Sequence, residues 1–449
     1  DAYQALNERE RDEMRRLITA AAVVDARGVL AAPGALLLED RCVIDVGPIH
    51  AFEALRDVRR EHFGSSVLMP GLVNAHSHLD LSHIGPVPYG GDFHDWIDLV
   101  RARRVEDDAS LQSSVDCGVS YSLAGGTVAV GDIAGFGRPL VAQQLQASGL
   151  LGVSYMEAFG HGQYARAAVD MLSTRLASLS ESSASQPAKS QNKGAVASTA
   201  SGLRIGVQPH APYSCSLEVF EEAARMGAPM ATHLSETREE LNFIANAQGP
   251  LVDLIKRMEK WDPSIQPRHC HPVEYLAPVL SSVPCMVAHV NYLDDRACDL
   301  LASWPVTVAY CPRASAYFEH PDGQPQNHPY RRLLQRDVRV ALGTDSLLCL
   351  DTPHRISVLD EMRLLWRRDG IDPVLLVRLA TVNGAVGLQM DPSQVLFDSG
   401  PVAGVIAIGG VKESSHDVLA DVLADDEQPV WVLPPKGVEE KKGASQDVE

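Results

Sequence analysis

The 449-residue chain contains no uncharged apolar run that approaches the roughly 20 residues a membrane-spanning helix requires. Its first 16 residues are charged and lack the apolar segment of a signal peptide. Positive charge is also scarce, with 39 lysines and arginines against 58 acidic residues and a net charge of -19. This balance disfavours nucleic acid and anionic membranes as partners. We therefore predict a cytoplasmic protein that binds neither.

The eight cysteines are scattered, and no two of them are spaced as C-x-x-C. Several lie inside apolar, strand-like segments, which indicates reduced core residues and argues against a disulfide framework or a zinc knuckle. Large apolar residues are almost missing from segment 178–201, which is rich in Ser, Ala, Gln and Lys. Such a segment cannot bury enough surface to order itself, so we predict a flexible insert. The charged tail, 436–449, is predicted to be disordered as well.

Eight short β-rich segments alternate with segments of helical composition after residue 66. Strands that alternate with helices form a parallel sheet, and eight such units predict a (β/α)8 TIM-like barrel over 67–394. Alternating segments on both flanks predict a small β-sandwich domain built from both termini, 17–66 and 395–435. The predicted barrel strands are 66–78, 127–133, 151–159, 203–210, 228–236, 283–292, 306–312 and 338–345.

Most of these segments end in a side chain that can do chemistry, at the edge where such a barrel carries its active site. The first ends in His76 and His78, which share one face of a strand and can reach the same metal ion. An H-x-H pair alone is weak evidence, because short histidine pairs are more often solvated loops. The later segments strengthen it, since they end in His210, His233 with Glu236, His289, Arg313 and Asp345.

These strand ends can supply the ligands of a catalytic metal ion. Zinc in such sites takes three or four nitrogen and oxygen ligands and keeps a position for water. Glu236, three residues after His233, can face that water without ligating the metal and pass a proton to a substrate ring nitrogen. Taken singly, His233 could be a satisfied core histidine, Asp345 a helix cap, and His289 a donor to a backbone carbonyl. The joint pattern favours a metal centre with the ligands His76, His78, His233 and Asp345.

Seven segments occur in order from Pro70 to Leu388 and read PGLVNAHSHLDLS, QPHAPYS, THLSET, AHVNYL, CPRASAYFEH, ALGTDS and ATVNGAVGL. With them the chain resembles the amidohydrolase superfamily, in its hydrolytic deaminase and chlorohydrolase branch. The resemblance implies a homodimer and one divalent ion, Zn²⁺ or Fe²⁺, held by the four ligands above. It further implies that Glu236 shuttles protons, His289 polarises the water or the substrate, and Asp345 doubles as a base. His210 would contact the substrate.

The number of metal ions also follows from the resemblance. Binuclear members of the superfamily bridge two ions with a carboxylated lysine after the fourth strand. Between Gly71 and Leu254 the only lysines of this chain are Lys189 and Lys193, both in the predicted insert. A mononuclear centre is therefore expected.

The presence of Glu236 favours ammonia as the leaving group, because triazine chlorohydrolases of this branch tend to lack that glutamate. The expected reaction is deamination of an amino-substituted N-heterocycle. A chlorohydrolase, a cyclic-amide hydrolase and a catalytically idle barrel that only binds ligands are the alternatives.

Two segments bear on the substrate. Segments 92–101 and 313–320 resemble the enzymes that deaminate the adenine ring of aminodeoxyfutalosine, a menaquinone precursor; adenosine and S-adenosylhomocysteine deaminases are close relatives. Trp96 could contact this substrate or simply pack on the barrel mouth. Arg101 and Arg313 could bind a substrate carboxylate or be surface charges.

Overall fold

A computed structural model describes residues 15–184 and 202–438 of the chain. The predicted disordered tail, 436–449, therefore lies outside the described residues except for its first three, and so does the predicted insert from residue 185 onward. Residues 178–184, the beginning of that insert, continue the helix Ala165–Ala184. The prediction missed this extension, although Leu179 is buried against the core and holds the helix on the barrel.

Seven strands precede the barrel. They are β1 Arg16–Ala20, β2 Ala22–Asp25, β3 Gly28–Ala31, β4 Gly34–Glu39, β5 Cys42–Pro48, β6 Arg59–His62 and β7 Val67–Pro70. They are four to seven residues long, and three of them, β2, β4 and β7, are buried along almost their whole length.

Eight parallel strands then form one sheet in sequential order, and a parallel bridge between Ser77 and Asp345 joins its first and last members. The predicted (β/α)8 barrel is thus confirmed. The strands are β8 Leu72–Ser77, β9 Thr127–Ala134, β10 Leu151–Ala158, β11 Leu203–Pro209, β12 Met230–Leu234, β13 Cys285–His289, β14 Val306–Tyr310 and β15 Arg339–Leu342.

Alternate residues along the barrel strands enter two different cores. Val287 packs in the cluster that includes the surrounding helices, whereas its neighbours Met286 and Ala288 belong to a second cluster with residues of the other strands. This is the two-residue period of a barrel whose strands are covered on both faces.

Three further strands complete the small domain, namely β16 Gly400–Pro401, β17 Val405–Ile408 and β18 Val430–Leu433. They join two five-stranded sheets, ordered β16-β5-β4-β1-β6 and β18-β17-β7-β2-β3. Ile18 and Leu36 of the first sheet share one buried cluster with Leu68 and Val405 of the second. The predicted β-sandwich built from both ends of the chain is confirmed, while its exact boundaries stay a prediction.

The first predicted strand, 66–78, is in fact two strands. β7 pairs with β17 and β2 in the sandwich, whereas β8 pairs with β9 in the barrel. Gly71 separates them, and a Cβ atom there would lie 2.1 Å from Val128 Cγ1. Only glycine fits this close approach, so the chain passes from one domain to the other at this residue.

Helices cover the outside of the barrel, and within the described part of the chain none is long and apolar enough to cross a membrane. The α-helices are α1 Phe93–Arg103, α2 Asp108–Ala124, α3 Pro139–Ala147, α4 Ala165–Ala184, α5 Leu217–Arg225, α6 Arg238–Asn246, α7 Pro250–Arg257, α8 Pro272–Tyr275, α9 Ala277–Leu280, α10 Asp295–Ala302, α11 Pro312–Tyr317, α12 Tyr330–Leu334, α13 Val358–Asp369, α14 Pro373–Leu379, α15 Val382–Gly387 and α16 Val418–Ala424. Short 3₁₀ turns are Ile49–Phe52, Leu79–Ile84, Gly135–Gly137, Gly162–Tyr164, Pro325–Asn327, Leu347–Cys349 and Pro392–Val395.

Candidate metal centre and active site

Four imidazoles meet at the carboxyl ends of three barrel strands. The ring centroid of His76, on β8, lies 5.0 Å from that of His78, 5.1 Å from that of His233 and 5.2 Å from that of His289. Asp345 follows β15, and its amide donates a 3.0 Å hydrogen bond to the His76 carbonyl. The barrel closure therefore brings the first and last strands' functional side chains together.

The spacing of these side chains fits one divalent ion. His78 Nε2 lies 3.4 Å from His233 Nε2 and 3.6 Å from Asp345 Oδ1. Ligand atoms held about 2.0–2.2 Å from a tetrahedral ion are separated from one another by about 3.3–3.6 Å. In addition, His76 Nε2 is buried without a hydrogen-bond partner among the described residues, which is costly unless a ligand satisfies it. The donor set of His76, His78, His233 and Asp345 is thus suited to a metal ion.

The imidazoles are held in the neutral form that metal ligands need. Burial lowers the pKa of His233 to about 4 and the pKa values of His76 and His78 well below their usual range. His233 Nδ1 lies 3.0 Å from the His210 carbonyl and 3.1 Å from the Gln208 side-chain amide. A carbonyl acceptor fixes the proton on Nδ1 and leaves the Nε2 lone pair directed at the other ligands.

Glu236 lies beside this cluster with its carboxylate 3.6 Å from His289 Nε2. Burial, followed by the nearby charges of Asp345 and Glu240, raises the pKa of Glu236 well above its usual value. Burial also raises the pKa of Asp345 to about 6. A raised pKa makes each carboxylate a better proton acceptor than an ordinary one, which suits general acid–base catalysis.

A buried glutamate, Glu240, fixes the turn that carries Glu236. Its two carboxylate oxygens accept hydrogen bonds from the amides of Ser235, at 2.8 Å, and Glu236, at 3.0 Å. Ser235 has a left-handed backbone with φ of 50°, and Asn291 Nδ2 donates to the Glu236 carbonyl at 2.9 Å. Glu240 was not predicted as a site residue, although Thr237 and Glu240 have the T-x-x-E spacing of a helix capping box.

Two further residues that were not predicted support Asp345 and His289 from behind. Asn74 bonds the Thr344 hydroxyl at 2.8 Å and the Thr344 amide at 3.1 Å, next to Asp345. His328 Nε2 lies 2.9 Å from the carbonyl of His289, a residue with φ of 71°. Asn74 lies in the quoted segment PGLVNAHSHLDLS, where the two histidines were the signal, and His328 lies outside the quoted segments.

A cavity of about 560 Å³ opens above the cluster. Its floor includes His78, His233, Glu236, His289 and Asp345. The aromatic rings of Phe93 and Trp96, on α1, form part of its wall. A volume of this size is typical of a small-molecule site.

Three of the four predicted substrate contacts line this cavity: Trp96, Arg101 and His210. Trp96 stacks on Phe93 with ring centroids 5.9 Å apart, and its indole N–H has no hydrogen-bond partner among the described residues. Arg101 lies near the mouth with 46% of its side chain exposed. His210 Nδ1 lies 2.7 Å from the Ser214 hydroxyl.

The fourth predicted substrate contact, Arg313, does not reach the cavity. It is not among the cavity-lining residues, because the chain turns into α11 directly after β14 and directs the side chain towards α13. Its Nε lies 2.6 Å from a Glu361 carboxylate oxygen, and its Nη1 lies 3.1 Å from the Thr352 hydroxyl. We therefore leave Arg313 out of the proposed substrate site.

The model of the amidohydrolase family matches residues 67–394, which is the whole barrel. The 5-methylthioadenosine/S-adenosylhomocysteine deaminase of Pelotomaculum thermopropionicum is 27% identical over 375 residues, covering 80% of this chain and 76% of the relative. The aminodeoxyfutalosine deaminase of Deinococcus radiodurans is 27% identical over 402 residues, covering 82% of this chain and 84% of the relative.

Solved structures share the fold at lower identity. Helicobacter pylori aminofutalosine deaminase in complex with methylthio-coformycin has a TM-score of 0.72 and 19% identity, and the match covers 93% of this chain and 98% of that one. The atrazine chlorohydrolase of Arthrobacter aurescens has a TM-score of 0.70 and 16% identity, with 93% of both chains covered.

Proposed function

Because the chain belongs to the amidohydrolase family and is a hydrolase of carbon–nitrogen bonds other than peptide bonds, we propose that it is a metal-dependent deaminase. It would release ammonia from an amino-substituted N-heterocycle, and the adenine ring of a nucleoside such as aminodeoxyfutalosine is the substrate we favour. The observation that carries the proposal is Glu236, which lies in the cavity floor between His289 and the proposed ligand cluster. Relatives named as adenine nucleoside deaminases support it.

We propose that His76, His78, His233 and Asp345 hold one divalent ion, Zn²⁺ first and Fe²⁺ second. When bound, such an ion supplies Lewis-acid activation by lowering the pKa of a water molecule towards neutrality. At the ends of β10 and β11, the third and fourth barrel strands, the described residues include Glu157 and His210 and no lysine. This supports a single ion.

Glu236 carries out the proton transfer in this mechanism. As the water oxygen adds to the amino-bearing ring carbon, the Glu236 carboxylate takes one water proton and gives it to the adjacent ring nitrogen. Asp345 takes the second proton and returns it to the amino group, which leaves as ammonia while the ring carbon becomes a carbonyl. His289, 3.6 Å from Glu236, polarises the oxygen as its charge develops.

The proposal is tested by ammonia release from a panel of adenine nucleosides that includes adenosine, 5'-deoxyadenosine and aminodeoxyfutalosine. Glu236→Gln should retain metal and lower kcat by at least about 100-fold, because the amide cannot move a proton. Glu222→Gln, a partly exposed position on α5 outside the cavity, is the matched control and should behave as the wild type. A Glu236→Gln variant with wild-type turnover would overturn the role of this glutamate.

A chlorohydrolase is the second candidate, and the fold shared with the atrazine enzyme keeps it in view. Chloride release from a chlorotriazine, without ammonia release from any amine in the panel, would favour it over deamination. A protein that holds and takes up no zinc, iron or manganese would instead support an idle, ligand-binding barrel. The homodimer and the link to menaquinone biosynthesis stay predictions from the resemblance, and the cytoplasmic location stays a prediction from the composition.

A further inference from the structure

Glu157 is a buried carboxylate that faces the cavity and has no part in the proton transfers proposed above. It is the second-last residue of β10, is 4% exposed and lines the cavity wall. Its Oε2 accepts a 3.0 Å hydrogen bond from the Phe136 amide. Its Oε1 has no hydrogen-bond partner among the residues that the structure describes, and lies 3.9 Å from His210 Nε2. One oxygen therefore serves the fold, and the other is available to a ligand.

A purely structural role would need only the first of these oxygens. The turn at Phe136 has a left-handed backbone with φ of 54°, and Arg175 also holds it by donating to the carbonyls of Phe136 and Gly137. A neutral glutamine in place of Glu157 could accept the same amide hydrogen bond. Burying an ionisable group beside an open cavity is costly unless a partner arrives to satisfy it. The free oxygen of Glu157 thus points to a role in ligand binding.

The chemistry of this oxygen limits what it can bind. Burial raises the pKa of Glu157 to about 7, while the nearby charge of Arg104 favours its ionised form. In that form Glu157 only accepts hydrogen bonds, and the unsubstituted ring nitrogens of adenine are acceptors as well. Its partner must therefore be a donor away from the leaving amino group, either a hydroxyl of an attached sugar or a ring N–H. His210 Nε2, 3.9 Å from Oε1, is close enough for one such group to contact both side chains.

We propose that Glu157 is a specificity residue, whose Oε1 accepts a hydrogen bond from a neutral donor group of the substrate and disfavours an anionic substituent at that wall. This rests on the proposed function, since the adenine ring supplies the argument about donors. Glu157 would thus be a substrate contact in addition to Trp96, Arg101 and His210.

Calorimetric titration of the zinc-loaded protein with product-type ligands tests this proposal. Inosine against 2',3'-dideoxyinosine probes the sugar hydroxyls, and hypoxanthine against 9-methylhypoxanthine probes a ring N–H. Glu157→Leu should weaken binding of the donor-bearing member of one pair by about 10- to 100-fold, the loss expected for a hydrogen bond to a charged group. The donor-lacking member should bind the variant and the wild type alike. The pair that responds identifies the donor.

Arg175→Met is the matched control, because it releases the Phe136 turn without changing a residue that lines the cavity. If Arg175→Met reproduces the selective loss, or if Glu157→Leu weakens both members of each pair equally, the ligand role of Glu157 is overturned. Ammonia release by the wild type is measured in the same preparations. If the wild type releases ammonia but Glu157→Leu weakens both members of each pair equally, only this inference fails. If the wild type binds none of the four ligands and releases no ammonia, the proposed function fails as well.

Discussion

The turn that carries Glu236 depends on Glu240, and removing this side chain should separate stability from metal binding. Glu240 is fully buried and accepts two backbone hydrogen bonds, from Ser235 and from Glu236 itself. Glu240→Ala leaves both amides buried and unpaired, and each such group costs about 1–3 kcal/mol. We expect the free energy of unfolding to fall by about 2–6 kcal/mol. Glu240→Gln, whose amide nitrogen cannot accept, should lose about half of that.

Catalysis should suffer more than binding in the same variants. His233 is held by the pairing of β12 with β13 and by the His210 carbonyl, and the other three ligands lie outside this turn, so the metal content of folded Glu240→Gln should stay near that of the wild type. A displaced Glu236 would lower kcat at least about tenfold and leave KM nearly unchanged, because the glutamate acts in the chemical step.

Urea unfolding of the metal-loaded protein, elemental analysis and ammonia release are the three assays for this prediction. Glu239→Ala is the control. It removes a carboxylate from the same first turn of α6, and this carboxylate makes no hydrogen bond among the described residues. If Glu240→Ala and Glu239→Ala had the same unfolding midpoint and the same kcat, the reasoning about the two amides would be refuted.

Two further predictions concern the metal ion and the corrected arginine. Removing the metal with a chelator should abolish ammonia release and lower the melting temperature, and one equivalent of Zn²⁺ should restore both; at 100 times its dissociation constant a ligand stabilises the fold by about 2.7 kcal/mol. An unchanged melting temperature would argue against the ligand cluster. Arg313→Met should destabilise the fold by about 3–5 kcal/mol, because it leaves Glu361 buried without its partner. KM of the folded fraction should not change; a raised KM with normal stability would restore Arg313 as a substrate contact.

The barrel and the convergence of its strand ends could be predicted because both follow from the local pattern of apolar and polar residues. Apolar runs that alternate with helices give the parallel barrel, and the carboxyl ends of its strands must meet at one edge. The division of the first strand at Gly71 could not be predicted in this way, since residues on both sides of it are apolar and buried. The one local sign of a break is the Pro70-Gly71 pair, and the division itself is shown by the different partners of the two strands, β17 and β2 for β7 and β9 for β8.

Sequence position along a strand gives the end at which a side chain lies, but not the direction it takes. Arg313 and Asp345 both follow barrel strands, yet the first turns outward to Glu361 and the second inward to the cluster. Glu157 was missed for a related reason: the predicted strand continued to Phe159, so the charged residue fell inside an apparently apolar run. Only the three-dimensional arrangement shows that its carboxylate reaches the cavity.

The bridge between Ser77 and Asp345 links the assembly of the metal centre to the completion of folding. Two proposed ligands, His76 and His78, come from the first barrel strand and one, Asp345, follows the last, so the four meet only in a chain whose circle of strands is closed. A nascent chain that has not yet added its eighth strand lacks the carboxylate ligand. Metal uptake would therefore indicate that all eight strands are in place. The bound ion would then stabilise the closed barrel against unfolding.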